Sequence, residues 1–160
     1  MARSGTGLSE ISLGNFTEIR VGTIGESFAD LSILEDVQSV GDLQDEATII
    51  DVNAYGQKYM KKLVGSANAS ALEVVCNFNP SAPVQAELLA AYANTTSKNI
   101  AIAMFEATTG VSGNDAEGTF NMFPCLVASA SVANSFDETR TVTFSLVPAN
   151  GIGEYEDIPV

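Results

Sequence analysis

The sequence predicts a mainly β domain of the α+β class, in which antiparallel strands are interrupted by one helix. Three observations lead to this prediction. Several short segments alternate apolar and polar side chains, as half-buried strands do. One segment, 80–93, instead spaces its apolar residues as a helix does, and turn residues separate the segments. A chain of 160 residues, of which 46% are hydrophobic, is long enough to bury one core.

The N-terminal half of the chain contains three predicted strands followed by a long loop. The strands are 16–24, 32–40 and 46–52. The short turn at 41–45 predicts a hairpin between the second and the third of them. Residues 53–70 lack a sustained period and predict a long inter-strand loop. Residues 1–16 are rich in Gly and Ser and predict an arm outside the core.

The C-terminal half begins with the clearest strand of the sequence, 70–79. Its alternation predicts that Leu72, Val74, Cys76 and Phe78 lie on one face. The polar positions between them, Glu73 and Asn77, should then point away from the core, as should Glu46 and Asp51 on the strand 46–52.

A helix is predicted next, at 80–93, because prolines occupy its first turn and an apolar stripe recurs at helical spacing. The stripe consists of Val84, Leu88, Leu89 and Tyr92. Further strands are predicted at 99–106, 119–133 and 141–146, with a turn over 110–118 and a bulge or edge irregularity at Pro124. The boundaries are a domain at 17–147, preceded by the arm 1–16 and followed by an acidic tail at 148–160.

The charge of the chain excludes several classes of protein. It has 20 Asp and Glu against 7 Lys and Arg, a net charge of −13, and no histidine. A protein that binds nucleic acid needs clustered basic residues, which are absent over most of this sequence. Without histidine there is no Ser-His-Asp or Cys-His nucleophile and no imidazole metal ligand, and Cys76 and Cys125 form no C-x-x-C motif. We therefore expect no catalytic residue, no metal site and no cofactor.

The predicted loop 53–70 differs in composition from the rest of the chain. Three of the seven basic residues fall within 58–62, beside aromatic and apolar side chains that are too numerous for simple disorder. The residues we select as candidate contacts are Tyr55, Lys58, Tyr59, Met60, Lys61, Lys62 and Leu63. A solvated loop with ordinary lysines is the alternative interpretation.

The segment 33–92 resembles the tail tube proteins of long, non-contractile phage tails. The features that carry the resemblance are a strand hairpin, a long loop with aromatic and basic residues, and a strand that runs into a helix start at Asn79-Pro80. A closing β meander extends the resemblance to residues 32–147. The resemblance implies a β-sandwich or barrel-like domain with one flanking helix, a fold shared with the tube of type VI secretion.

The resemblance also implies a structural function without catalysis. Such proteins assemble as six-fold rings that stack into a hollow tube through which the genome passes. The implied partners are further copies of the chain and the tape measure, tail tip and terminator proteins, with no membrane anchor. The implied location is the virion tail, after assembly in the host cytoplasm. A strongly acidic wall suits a conduit that DNA crosses without binding.

These implications assign expected roles to the candidate residues. The loop 53–70 should bridge one ring to the next and meet an acidic receptor on another copy. The receptor candidates are Glu154, Glu156 and Asp157 in the tail, or Asp42, Asp45 and Glu46 before the loop. A second set, Glu46, Asp51, Glu73 and Asn77, should contribute to the inner wall or to subunit contacts. The alternatives are a secretion-type tube protein and a small acidic β domain that binds a ligand.

Overall fold

A computed structural model describes residues 17–105 and 118–158 of the chain. The arm 1–16 and most of the turn 110–118 lie outside the described residues. The described ranges contain ten strands and one α-helix, together with a 3₁₀ turn at Phe28–Asp30. The strands are β1 (Thr17–Gly22), β2 (Ser32–Ile33), β3 (Val37–Val40), β4 (Asp45–Val52), β5 (Lys61–Ala69), β6 (Leu72–Asn77), β7 (Lys98–Phe105), β8 (Gly118–Ala133), β9 (Thr141–Pro148) and β10 (Tyr155–Asp157). The helix α1 spans Pro83–Asn94.

The main sheet is antiparallel throughout, with the order β2-β1-β7-β8-β9-β6-β3, and β10 also pairs with β8. The segment 32–40 pairs with β1 at its start and with β6 at its end, so it touches both ends of this path. The sheet is therefore curled and barrel-like, although its described ladders do not close a barrel. The predicted mainly β fold with one helix is confirmed.

Two details of the predicted strands are wrong. The segment 32–40 is not one strand, because Asp36 has a left-handed backbone (φ 60) that separates β2 from β3. Pro124 produces no bulge: it lies in regular register opposite Asn99, and its carbonyl accepts a hydrogen bond from the Ala149 N–H at 2.9 Å. The irregularity of β8 falls between Val127 and Ser129 instead.

The main core lies on one face of the sheet, where alternate residues of β6, β8 and β9 meet α1. Leu72, Val74 and Cys76 are fully buried, as their alternation predicted. The helix prediction is confirmed, and Val84 and Leu88 pack against this core.

The predicted apolar stripe of α1 is wrong at Tyr92, which is 47% exposed. Gln85 is buried instead. Its Oε1 accepts a hydrogen bond from the Asn79 N–H at 3.1 Å, and its Nε2 donates to the Asn77 carbonyl at 2.9 Å. These bonds satisfy the polar side chain, so it joins the helix to the end of β6 without an unpaired buried group.

A second cluster covers the opposite face of β7 and β8. It contains Phe28, Leu31, Ala101, Ala103, Phe120 and Ile158. The rings of Phe28 and Phe120 stack with centroids 4.4 Å apart. Arg20 is buried beside them: its guanidinium lies 4.3 Å from the Phe28 ring centroid, and its Nε donates to Glu18 Oε1 at 2.6 Å. The sequence analysis did not single out this buried ion pair.

We expect both cysteines to resist alkylation in the folded protein. Burial raises the pKa of the Cys125 thiol to about 12, and burial together with the charge of Asp36 raises that of Cys76 to about 11. At pH 8 both thiols are therefore protonated, and a thiol reagent should label them only after denaturation. Stability should fall as the pH rises above 9, because the unfolded chain then releases thiol protons that the folded chain retains. Rapid labelling of the folded protein at pH 8 would contradict this prediction.

Candidate assembly surface

The hairpin β4–β5 forms a two-stranded sheet separate from the main sheet. Its register runs from Asp45 opposite Ala69 to Val52 opposite Lys61. The predicted loop 53–70 is therefore wrong over 61–69, and the loop is confined to 53–60. The predicted hairpin between 32–40 and 46–52 is also wrong. In the structure β4 pairs instead with β5, further along the chain. Gly65 and the lysines of β5 are uncommon in strands, so the sequence did not indicate a strand there.

Both faces of this hairpin expose apolar side chains. On one face Ile49 lies opposite Val64, and these residues are 62% and 78% exposed. On the other face Ile50 lies opposite Leu63, and both are exposed. An isolated two-stranded hairpin is at best marginally stable in water, and exposed apolar patches mark interaction sites. The hairpin therefore has the properties of a surface that is buried against another molecule.

The loop residues selected from the sequence lie at and near the tip of the hairpin. Tyr55, Lys58, Tyr59 and Met60 are exposed in the tip loop 53–60. Lys61, Lys62 and Leu63 are exposed at the start of β5. The sequence selection omitted Ile49, Ile50 and Val64, although the apolar residues on both faces of 46–52 were a signal for Ile49 and Ile50.

One of the three lysines is paired within the hairpin itself. Lys62 Nζ lies 2.9 Å from Asp51 Oδ1, its cross-strand neighbour, and both side chains are exposed. Lys58 Nζ lies 5.8 Å from the centroid of the Tyr59 ring. Within the described residues, Lys58 and Lys61 have no ion-pair partner. These two lysines are therefore the basic groups that the tip offers to another molecule.

The structure divides the second candidate set between two sheets. Glu46 and Asp51 lie on β4, five positions apart and hence on opposite faces of the hairpin. Glu73 and Asn77 lie on β6 of the main sheet, where Glu73 is exposed and Asn77 is half-buried. The Asn77 Oδ1 accepts a hydrogen bond from the Gln38 side chain of the neighbouring strand. A role of these residues in the inner wall stays a prediction.

The candidate acidic residues near the C-terminus border the main sheet. Tyr155, Glu156 and Asp157 form β10 and pair with Asn121, Phe120 and Thr119 of β8. Both acids are exposed, as is Glu154, whereas Ile158 is buried in the second cluster. The segment 148–160 thus includes β10, a strand of the main sheet. Pairing with β8 fixes the main chain that carries Glu156 and Asp157.

Two further features of the described ranges bear on other kinds of site. No three His, Cys, Asp or Glu side chains within residues 17–105 and 118–158 are grouped as metal ligands would be. In the same ranges, no helix has the length and apolar character needed to cross a membrane.

No protein-family model and no curated protein sequence matches the chain. Its structure, however, is similar to solved structures of tubes and tails. It matches the SPP1 tail tube with a TM-score of 0.62 and 12% identity, over 94% of this chain and 80% of that one. It matches the tail of an empty gene transfer agent particle, determined with C6 symmetry, with a TM-score of 0.65 and 12% identity, over 91% and 98% of the two chains. It also matches a crystal structure of Hcp protein with a TM-score of 0.53 and 14% identity, over 88% and 98%.

These similarities show that the chain has a fold of the kind found in components of tails and tubes. Within this class, the chain has the tail tube fold, with its curled antiparallel sheet and one helix. The resemblance drawn from the sequence is therefore confirmed for the fold, which extends to Hcp as that resemblance implied.

Proposed function

We propose that the protein is a structural virion protein that polymerises as stacked hexameric rings and forms a phage tail tube. The observation that carries the proposal is the hairpin β4–β5, which exposes apolar side chains on both of its faces in the single subunit. Likeness in fold to the SPP1 tail tube and to a tail with C6 symmetry supports rings of six. In such a tube the hairpin is covered by a neighbouring copy, and its free strand edges are protected from uncontrolled pairing.

The net charge of −13 supports a role as a conduit for DNA. Binding to DNA depends on basic groups that neutralise phosphates, and an acidic wall withholds such contacts. Genome passage through the tube, assembly in the host cytoplasm and contacts with tape measure, tail tip and terminator proteins belong to this proposal. The fold likeness to Hcp favours a second candidate, a secretion-type tube with the same ring architecture.

Electron microscopy of the purified protein tests the proposal directly. We expect annular particles with six-fold symmetry, or tubes, as the protein concentration is raised. A subunit that stays monomeric by size-exclusion chromatography at every concentration and salt condition would contradict it. Tubes of another rotational symmetry would retain a tube function and reject the hexameric ring.

We expect the variant carrying both Lys58→Glu and Lys61→Glu to fold normally and to form fewer tubes. Each exposed ion pair contributes about 0–1 kcal/mol, so the loss should be partial and should depend on salt. Lys62 is left unchanged because its replacement by Glu would oppose Asp51 within the hairpin. The yield of sedimentable tubes at low and moderate salt measures the effect. The control is Arg140→Glu, whose arginine is exposed and lies outside the hairpin, and an equal loss per reversed charge in both proteins would reject a specific role for the tip.

A further inference from the structure

The connection between β9 and β10 contains an asparagine that is followed by a glycine. Asn150 and Gly151 lie between Pro148, the last residue of β9, and Tyr155, the first residue of β10. Of the eleven asparagines in the chain, Asn150 is the only one that a glycine follows. The main-chain nitrogen after an asparagine is a nucleophile for the side-chain amide, and glycine hinders its attack least because it has no Cβ.

The fold leaves the two reacting groups without hydrogen-bond partners. The Asn150 side chain is exposed, and Gly151 is half-buried. Within 17–105 and 118–158, neither the Asn150 side chain nor the Gly151 N–H takes part in a hydrogen bond. The bond from the Ala149 N–H to the Pro124 carbonyl ends one residue before the pair. The amide and the nitrogen therefore break no described hydrogen bond when they meet.

The space around Gly151 is open as well. A Cβ added to this residue would have no heavy atom within 4 Å, apart from those of its chain neighbours. The φ of Gly151 is 86, in the left-handed region, which glycine populates about as readily as the right-handed one. Gly153, two residues later, also has a positive φ, of 66. The main chain of this connection can therefore change its conformation at little cost, and nothing described nearby blocks the closing of a ring.

We infer that Asn150 is a site of spontaneous deamidation in the folded subunit. The Gly151 nitrogen attacks the side-chain carbon Cγ of Asn150 and forms a C–N bond. The bond from Cγ to the amide nitrogen breaks, and that nitrogen leaves as ammonia with the proton of the Gly151 N–H. Water then opens the resulting succinimide at either carbonyl and gives aspartate or isoaspartate. The inference does not depend on the proposed function, because the reaction takes place within one chain.

Both products change the connection between β9 and β10. A neutral amide becomes a carboxylate, so the subunit becomes one unit more negative than −13. The new charge lies in the same segment as three exposed acids, Glu154, Glu156 and Asp157. The isoaspartyl product also adds one carbon to the main chain, between the last residue of β9 and the first of β10.

Peptide mapping by mass spectrometry, after incubation of the folded subunit at pH 8, tests the inference. We expect a mass gain of about 1 Da at Asn150, because a hydroxyl replaces an amino group. Asn53 and Asn134 are controls within the same chain, since both are exposed but precede Ala and Ser. They should react about tenfold more slowly, which corresponds to about 1.4 kcal/mol in the barrier. The absence of a gain at Asn150, or equal rates at the three sites, would overturn the inference.

A comparison with the unfolded chain separates the effect of the fold from that of the sequence. The same subunit, incubated in guanidinium chloride, contains the Asn-Gly pair without any tertiary contact. We expect Asn150 to react in the folded subunit within about threefold of its rate in the unfolded chain. Asn121, which has no exposed surface, should react only in the unfolded chain. A rate at Asn150 that is more than about tenfold lower in the folded subunit would show that the fold protects the site, and would overturn the inference.

Two variants identify the route of the reaction. Gly151→Ala places a methyl group beside the attacking nitrogen and should slow the mass gain at Asn150 about tenfold. Asn150→Gln retains the glycine, and its longer side chain would have to close a six-membered ring, so this variant should gain no mass at position 150 over the same period. Circular dichroism checks that both variants fold. An unchanged rate in Gly151→Ala, or a product that contains aspartate but no isoaspartate, would exclude the succinimide and overturn the inference.

Discussion

Replacement of Glu18 by Ala is expected to lower the free energy of unfolding by about 3–5 kcal/mol. The Arg20 side chain is 4% exposed, and its Nε donates to Glu18 Oε1 at 2.6 Å. Removal of the carboxylate leaves the guanidinium charge buried without its counter-ion, which costs far more than the loss of a surface pair. Urea unfolding followed by circular dichroism gives the measurement.

Two further variants separate this effect from a general loss of contacts. Glu87→Ala removes the carboxylate of the more exposed pair with Lys98 and should cost only about 0–1 kcal/mol. The double variant Glu18→Leu with Arg20→Met replaces both charges by apolar groups and should recover most of the lost stability. If Glu18→Ala costs no more than Glu87→Ala, the Glu18–Arg20 pair is not a buried contact in solution.

The replacement of Leu63 by Asp should abolish tube formation while it leaves the subunit folded. Leu63 is 56% exposed on the hairpin, so its replacement costs the isolated subunit little. In the assembled tube the same residue is covered by a neighbour, and burial of an unpaired carboxylate is strongly unfavourable. Sedimentation and electron microscopy report tube formation, and circular dichroism reports the fold.

Ile24→Asp is the matched control, because Ile24 is 54% exposed but lies outside the hairpin. We expect this variant to form tubes. If both variants lose tubes equally, the loss reflects added charge at any exposed apolar position, and the hairpin has no special role. If Leu63→Asp forms tubes normally, that face of the hairpin is not an assembly surface.

Much of the strand and helix pattern could be predicted from local sequence. β6 illustrates why: Leu72, Val74 and Cys76 alternate with more polar residues, and a strand must place successive side chains on opposite faces. The helix α1 was predicted for a similar reason, since a proline start and a helical spacing depend on neighbouring residues alone. The stripe failed because burial depends on packing: Tyr92 stays exposed, whereas Gln85 is buried and bonds to the main chain of Asn77 and Asn79 just before the helix.

The candidate surface was predicted in part. The sequence analysis selected the tip residues from Tyr55 to Leu63 by their aromatic and basic character, which is visible without a structure. It left Val64 out of the selected contacts, because the segment that contains it was interpreted as a loop. Asn121 of β8 is fully buried and has no hydrogen-bond partner among the described residues. It carried no sequence signal, since hydrogen-bond partners depend on which groups surround a side chain in the fold.

The sequence by itself thus determined the composition, the charge, the mainly β class and the faces of individual strands such as β6. Only the tertiary structure decided which strands pair: β4 with β5, β3 with β6, and β10 with β8. It also brought Val40 and Tyr155 to the lining of one cavity. The physical reason is that alternation is a property of consecutive residues, whereas pairing, burial and cavities arise from contacts between residues distant in the chain.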